Sequence, residues 1–162
     1  VPFDFLAGFE PDTRERAVAL KAAGELEPLM LARYPEQHEI RDNSRLWTYV
    51  QEIKKDYLRQ SPPLTKVKYS DKITTLHRAL GLHTYAVRVQ GPKLKSSNEM
   101  LVASLFKELP TAFLRMVVVH ELAHLRHKDH DKAFYRLCEH MEPDYHRYEA
   151  DLRMLLFARQ RG

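Results

Sequence analysis

Apolar side chains return every three or four positions over two stretches of the first third of the chain, and this spacing predicts helices. Val18, Leu20, Ala22, Ala23, Leu26, Leu29 and Met30 form a rough apolar face over residues 13–33, which Pro35 ends. Leu46, Trp47, Val50, Ile53, Tyr57 and Leu58 do the same over 43–60. There Asn43 or Ser44 is the expected cap, and Ser61-Pro62-Pro63 the stop. The pattern then changes character. Residues 67–69 and 73–76 are short strand candidates. Residues 84–90 are richer in β-formers and alternate in part before Gly91-Pro92, and 99–106 is a further strand candidate. From Pro110 the helical spacing returns. Residues 111–127 are apolar nearly all round, which predicts a buried helix. Asp131 is the expected cap of a helix over 132–140, and Pro143 is placed to open a last one reaching Ala158. This order predicts one α+β domain over residues 1–162. It has a helical part (1–63), a β-rich part (64–109) and a second helical part (110–162), with a small sheet packed against helices.

Composition supports a globular chain. Of 162 residues, 44% are hydrophobic and 30% charged, outside the range of disordered sequences. The main continuous apolar run, 116–119, is far too short to span a bilayer, so no membrane association is expected. Val1-Pro2-Phe3-Asp4-Phe5 has no basic lead and no long apolar core, so no signal peptide is expected. Cys138 is the only cysteine, which excludes an internal disulfide and makes the cytoplasm the expected compartment.

The net charge of +4 is concentrated in the middle. Residues 1–63 carry nine basic and eleven acidic side chains, and residues 99–162 carry ten of each. Residues 64–98 carry Lys66, Lys68, Lys72, Arg78, Arg88, Lys93 and Lys95 against Asp71 alone. Such a block favours an anionic partner, a substrate or a nucleic acid. It equally suits a solvated sheet edge whose lysines prevent pairing between molecules.

The run His120-Glu121-Leu122-Ala123-His124 changes the picture most. Two histidines four apart on a helix share a face, with Cβ atoms about 5–6 Å apart, so both imidazoles can meet one metal ion. Glu121 points to one side of that pair, where it can reach a water rather than the metal. The metal lowers the water's pKa and the glutamate takes its proton. Burying Glu121 and His124 on so apolar a helix would cost several kcal/mol without partners. A third ligand is needed. On a continuing helix His127 would stand roughly 10 Å along the axis from His120, too far to share an ion. His130 follows an expected break at Lys128-Asp129 and can fold back, giving a third histidine at metzincin spacing, although His127 replaces the glycine of that turn. Glu139 is the alternative ligand. A structural zinc site would want four ligands rich in cysteine, which this chain lacks. Histidine ligation suits Zn2+, and nickel, cobalt or manganese can occupy such sites.

The stretch VVVHELAHLRHKDHDKAFYRLCEHMEPDYH resembles the YgjP-like family of metal-dependent hydrolases, relatives of the SprT-type zinc metallopeptidases. The family pattern falls on His120, Glu121, His124, His130, Phe134 and Tyr135, and Pro143-Asp144-Tyr145 matches its Pro-x-Tyr continuation. The resemblance implies a zincin-like fold and a hydrolytic metal centre. It also implies either of two activities, since the family is classed with peptidases by motif while UTP pyrophosphatase activity has been attributed to it. One departure stands out. Many relatives carry an Arg-Trp-Gly-Ser-Cys segment, where this chain has Arg88-Val89-Gln90-Gly91-Pro92. Substrate contacts from that segment are therefore not carried over.

The expected function is thus a zinc-dependent, metallopeptidase-like hydrolase with Glu121 as general base. The alternatives are a metal-dependent UTP pyrophosphatase and a DNA-associated SprT-like protease. Arg88 and Lys93 are candidates for holding substrate charge. Tyr135 and Tyr145 are candidates for donating to a developing oxyanion. Phe134 and Tyr135 also read as core or pocket wall, because aromatics at helical spacing usually pack.

Overall fold

The helical periodicity of the first third is realised, but in more pieces than it suggests. The computed structural model describes residues 3–72, 87–88 and 98–161. The single helix expected over 13–33 is two, α1 (Pro11–Ala22) and α2 (Leu26–Arg33). Pro11 opens α1 where its missing N–H costs nothing. Gly24 closes it at φ +73°, a left-handed conformation that lacks a Cβ penalty only in glycine. The Gly24 N–H donates to Lys21 O at 3.0 Å and the Glu25 N–H to Leu20 O at 2.9 Å, so the last carbonyls are satisfied and the chain turns.

Helix α3 (Asn43–Tyr57) buries Leu46, Val50 and Ile53. Its cap is Asp42, whose Oδ1 accepts the Arg45 N–H at 2.7 Å, not Asn43 or Ser44. Asn43 serves elsewhere, since its Oδ1 accepts the Tyr69 N–H at 2.8 Å and ties the start of α3 to the sheet. The three strands are β1 (Leu64–Ser70), β2 (Val87–Arg88) and β3 (Asn98–Ala103), in spatial order β1-β3-β2. β1 runs parallel to β3 with Val67 opposite Met100, and β2 runs antiparallel with Arg88 opposite Glu99. β1 therefore extends the candidate at 67–69 in both directions. The candidate at 73–76 lies outside the described residues, as does most of that at 84–90. The strand expected over 99–106 stops at Ala103, and Ser104–Glu108 form a 3-10 turn. That turn delivers Phe106 into the core, where its carbonyl is bound by His38 Nε2 at 3.0 Å.

The last third holds α4 (Thr111–Ala123), α5 (Lys132–Met141) and α6 (Tyr145–Arg159). α4 is the central helix, buried continuously from Met116 to Ala123 and in contact with α3, β3, α5 and α6. α5 starts at its expected cap, with Asp131 Oδ1 accepting the Phe134 N–H at 2.9 Å. α6 starts two residues after Pro143, with Asp144 at the cap position. It is held across the molecule by α2, and the Tyr34 hydroxyl donates to Asp151 Oδ2. Arg115 of α4 donates from Nε to Glu142 Oε1 at 2.8 Å, which fixes the turn between α5 and α6. The fold is α+β, a small mixed sheet packed against helices, with α4 carrying the HExxH run. Among the described residues, no helix is long and apolar enough to cross a membrane.

Candidate metal centre

The C-terminal end of α4 is where the site forms. Val117, Val118 and Val119 bury the helix, so His120 and Glu121 enter the core with it, 3% and 2% exposed. The helix ends sooner than expected, at Ala123, and His124 is its cap residue. The Arg126 and His127 N–H groups both donate to Ala123 O, at 3.1 and 3.0 Å, and the chain then reverses. No residue but glycine has positive φ among the described residues, so the turn through His127 is made without the left-handed conformation a glycine would supply. The reversal brings His130 Nε2 to 3.1 Å from His124 Nε2. His120, His124 and His130 each offer a ring nitrogen, and these atoms all lie within 4.8 Å of one another. Among the described residues, no other group of three histidine, cysteine or acidic side chains is so arranged.

Two of the rings are held from behind. His120 Nδ1 lies 2.7 Å from the Tyr145 hydroxyl, and His124 Nδ1 lies 2.9 Å from His127 O. A carbonyl only accepts, so His124 carries its proton on Nδ1 and its Nε2 lone pair faces the cluster. Phe134, fully buried one turn into α5, lies against all three rings, with centroid distances of 4.9, 4.5 and 4.9 Å to His120, His124 and His130. It is the apolar floor of the site.

The residues fit a metal ion on two observations. Ligands about 2.0–2.1 Å from one tetrahedral centre stand roughly 3.3 Å from each other, close to the separation of the His124 and His130 nitrogens. Glu121 Oε1 is buried with no hydrogen-bond partner among the described residues. Such an orphan is costly unless a water or ligand completes it. Burial drives the electrostatics. It holds the Glu121 carboxyl well above the usual carboxylate range. It pushes His124 down to about 4, which keeps that imidazole neutral and able to ligate. It pushes the Cys138 thiol up to about 12, so Cys138 stays protonated.

The other sequence candidates fall in different places. Tyr135 is half-buried at the rim, its ring 6.3 Å from that of His130 and 5.5 Å from that of His146. Tyr145 is only 1% exposed and stands behind His120. That place suits support of the ring better than contact with substrate. Arg88 contributes backbone to β2, and Lys93 lies outside the described residues, as do Arg78 and Lys95. Glu139, the alternative third ligand, is exposed and paired with His146 at 3.2 Å, apart from the cluster. Phe134, expected as core or pocket wall, is that wall, whereas the His127 carbonyl behind His124 and the Tyr145 hydroxyl behind His120 had no local sequence signal. Only the fold assembles them.

Comparison with known proteins agrees with this geometry. The model of the YgjP-like metallopeptidase domain matches residues 94–154, which include the whole histidine cluster. The chain is also 47% identical to the UTP pyrophosphatase of Escherichia coli (strain K12) over 152 residues, 94% of this chain and 91% of that protein. No solved structure matches it. The chain belongs to the YgjP-like family. It is a metal-dependent hydrolase.

Proposed function

We propose that this enzyme is a zinc-dependent nucleoside-triphosphate pyrophosphatase acting on UTP. The observation that carries the reading is the relative named UTP pyrophosphatase, 47% identical over nearly the full length of both chains. The peptidase expectation drawn from the HExxH run is the second reading, favoured by the metallopeptidase description of the matching domain. The motif specifies an activated water and is silent on the bond attacked, so the relative's name supports the first reading.

His120, His124 and His130 are the proposed ligands, through ring nitrogens that face one another. A zinc ion held there supplies a Lewis acid that brings a water's pKa close to neutral. Glu121, beside the histidines on α4, would accept a proton from the attacking water. The water oxygen bonds to the α-phosphorus of UTP as the bridging Pα–O bond to the β-phosphorus breaks. The electron pair leaves with pyrophosphate, and UMP is the second product. Phe134 excludes water from behind the imidazoles and keeps them in place. Arg88 and Lys93 are proposed to hold the triphosphate, since charge-assisted bonds to phosphate are strong. A nucleotide substrate and a buried, protonated Cys138 both suit the cytoplasm.

The experiment is an assay of the purified protein, with its bound metal quantified, against a nucleoside-triphosphate panel and generic peptides. Release of pyrophosphate from UTP that disappears in Glu121→Gln is the expected result. Peptide cleavage dependent on Glu121, with UTP untouched, would favour the second reading. A DNA-associated role predicts binding to single-stranded or duplex DNA that weakens steeply with salt, and a flat salt titration eliminates it.

A further inference from the structure

Tyr145 starts α6 yet is almost wholly inside the protein, 1% exposed. Its ring lies nearly parallel to that of His120, 14° between planes, with the hydroxyl 2.7 Å from Nδ1. Two helices therefore meet in one buried polar contact, His120 from α4 and Tyr145 from α6.

A phenol has one hydrogen to give and lone pairs with which to accept. A ring nitrogen that ligates carries no proton, so with Nε2 turned to the cluster the Tyr145 oxygen is left to accept from His120 Nδ1. That fixes the proton on Nδ1 and leaves the Nε2 lone pair facing His124 and His130. The opposite arrangement would place the phenol hydrogen on Nδ1 and a proton on Nε2, which cannot then ligate. His124 has the corresponding support from the His127 carbonyl, an acceptor that permits one arrangement only.

We infer that Tyr145 is a positioning residue which holds the His120 ring from behind, accepting its Nδ1–H, and aims its Nε2 into the cluster. This rests on the reading of the three histidines as metal ligands. A hydrogen-bond partner behind a ligating imidazole is generally worth ten- to a hundred-fold in metal affinity.

The test uses the full chain with Zn2+ as probe. Tyr145→Phe keeps the ring and its packing and removes only the hydroxyl. The expected results are an about 10- to 100-fold rise in the Kd for Zn2+ by chelator competition and little change in the unfolding midpoint of the metal-free protein. Nitrogen-15 NMR of the zinc-loaded wild type is expected to show His120 protonated on Nδ1. Unchanged affinity in Tyr145→Phe, or a zinc-loaded wild type with His120 protonated on Nε2, overturns the inference. His130→Ala separates the two claims. If it binds Zn2+ as tightly as wild type, the metal-ligand reading has failed and this inference with it. If it binds weakly while Tyr145→Phe binds normally, only the inference has failed.

Discussion

Glu121 and His124 show burial acting on single side chains next to each other. Glu121 is 2% exposed with an unpartnered oxygen, and its environment favours the neutral acid. As a general base it should be worth about 10²–10⁴ in rate. Glu121→Gln is therefore expected to lose that factor in kcat while zinc stays bound, measured by steady-state turnover beside metal analysis. His124 responds in the opposite sense, its value lowered from 6.5 to about 4. A base whose folded value is depressed contributes stability that is present above its unfolded value and is lost as pH falls towards the folded one. The metal-free protein is thus expected to lose stability relative to His124→Asn between pH 6.5 and about 4. Denaturant melts at several pH values check this, and parallel pH dependence of the two proteins would show the imidazole to be less buried than described.

At the scale of elements, the site depends on where helices stop. α4 ends at Ala123 and α5 is started by Asp131, so the intervening turn has both ends fixed and presents His130 to the other two histidines. Asp131→Ala should cost about 1 kcal/mol of stability, the usual worth of such a cap. Because the same cap sets the position of Phe134, zinc affinity should fall with it. Gly24 gives a cleaner case away from the site. An added Cβ there meets nothing within 4 Å, so Gly24→Ala isolates the cost of a left-handed backbone, about 1 kcal/mol in urea unfolding. These stops also mark what local pattern can and cannot reveal. The buried helix, the HExxH pair and the cap at Asp131 were legible, because each is a spacing or a residue type acting on its immediate neighbours. The break at Gly24 was signalled only by the glycine itself, against an apolar face that ran on to Met30. Asn43 was misread as a cap because its partner, the Tyr69 N–H, lies across the fold. The end of β3 at Ala103 was hidden because Leu105 and Phe106 are apolar whether they continue a strand or turn into the core. Tyr145 was visible as a residue of interest, but its place behind His120 comes from α6 packing on α4.

For the molecule as a whole, the cluster joins α4 to the turn that leads into α5, and so links metal binding to folding. An ion that binds the folded chain and not the unfolded one stabilises it by mass action, about 2.7 kcal/mol at a hundred times its Kd. For a chain of this length that corresponds to roughly 5–10 °C in Tm. Chelation should lower the Tm by that amount and abolish hydrolysis, and Zn2+ should restore both. The loss should also be uneven. α2 and α6 pack together away from the ligands, through Tyr34 and Asp151, whereas residues 124–131 have few backbone bonds beyond those to Ala123. Hydrogen exchange in the metal-free protein should therefore accelerate first in that turn and the start of α5, while the core of α4 and α6 stays protected. Uniform acceleration would mean that the metal stabilises the fold globally. Unchanged exchange in the turn would mean that Phe134 and the Asp131 cap alone preorganise the three imidazoles, and that the ion enters a site the protein has already built.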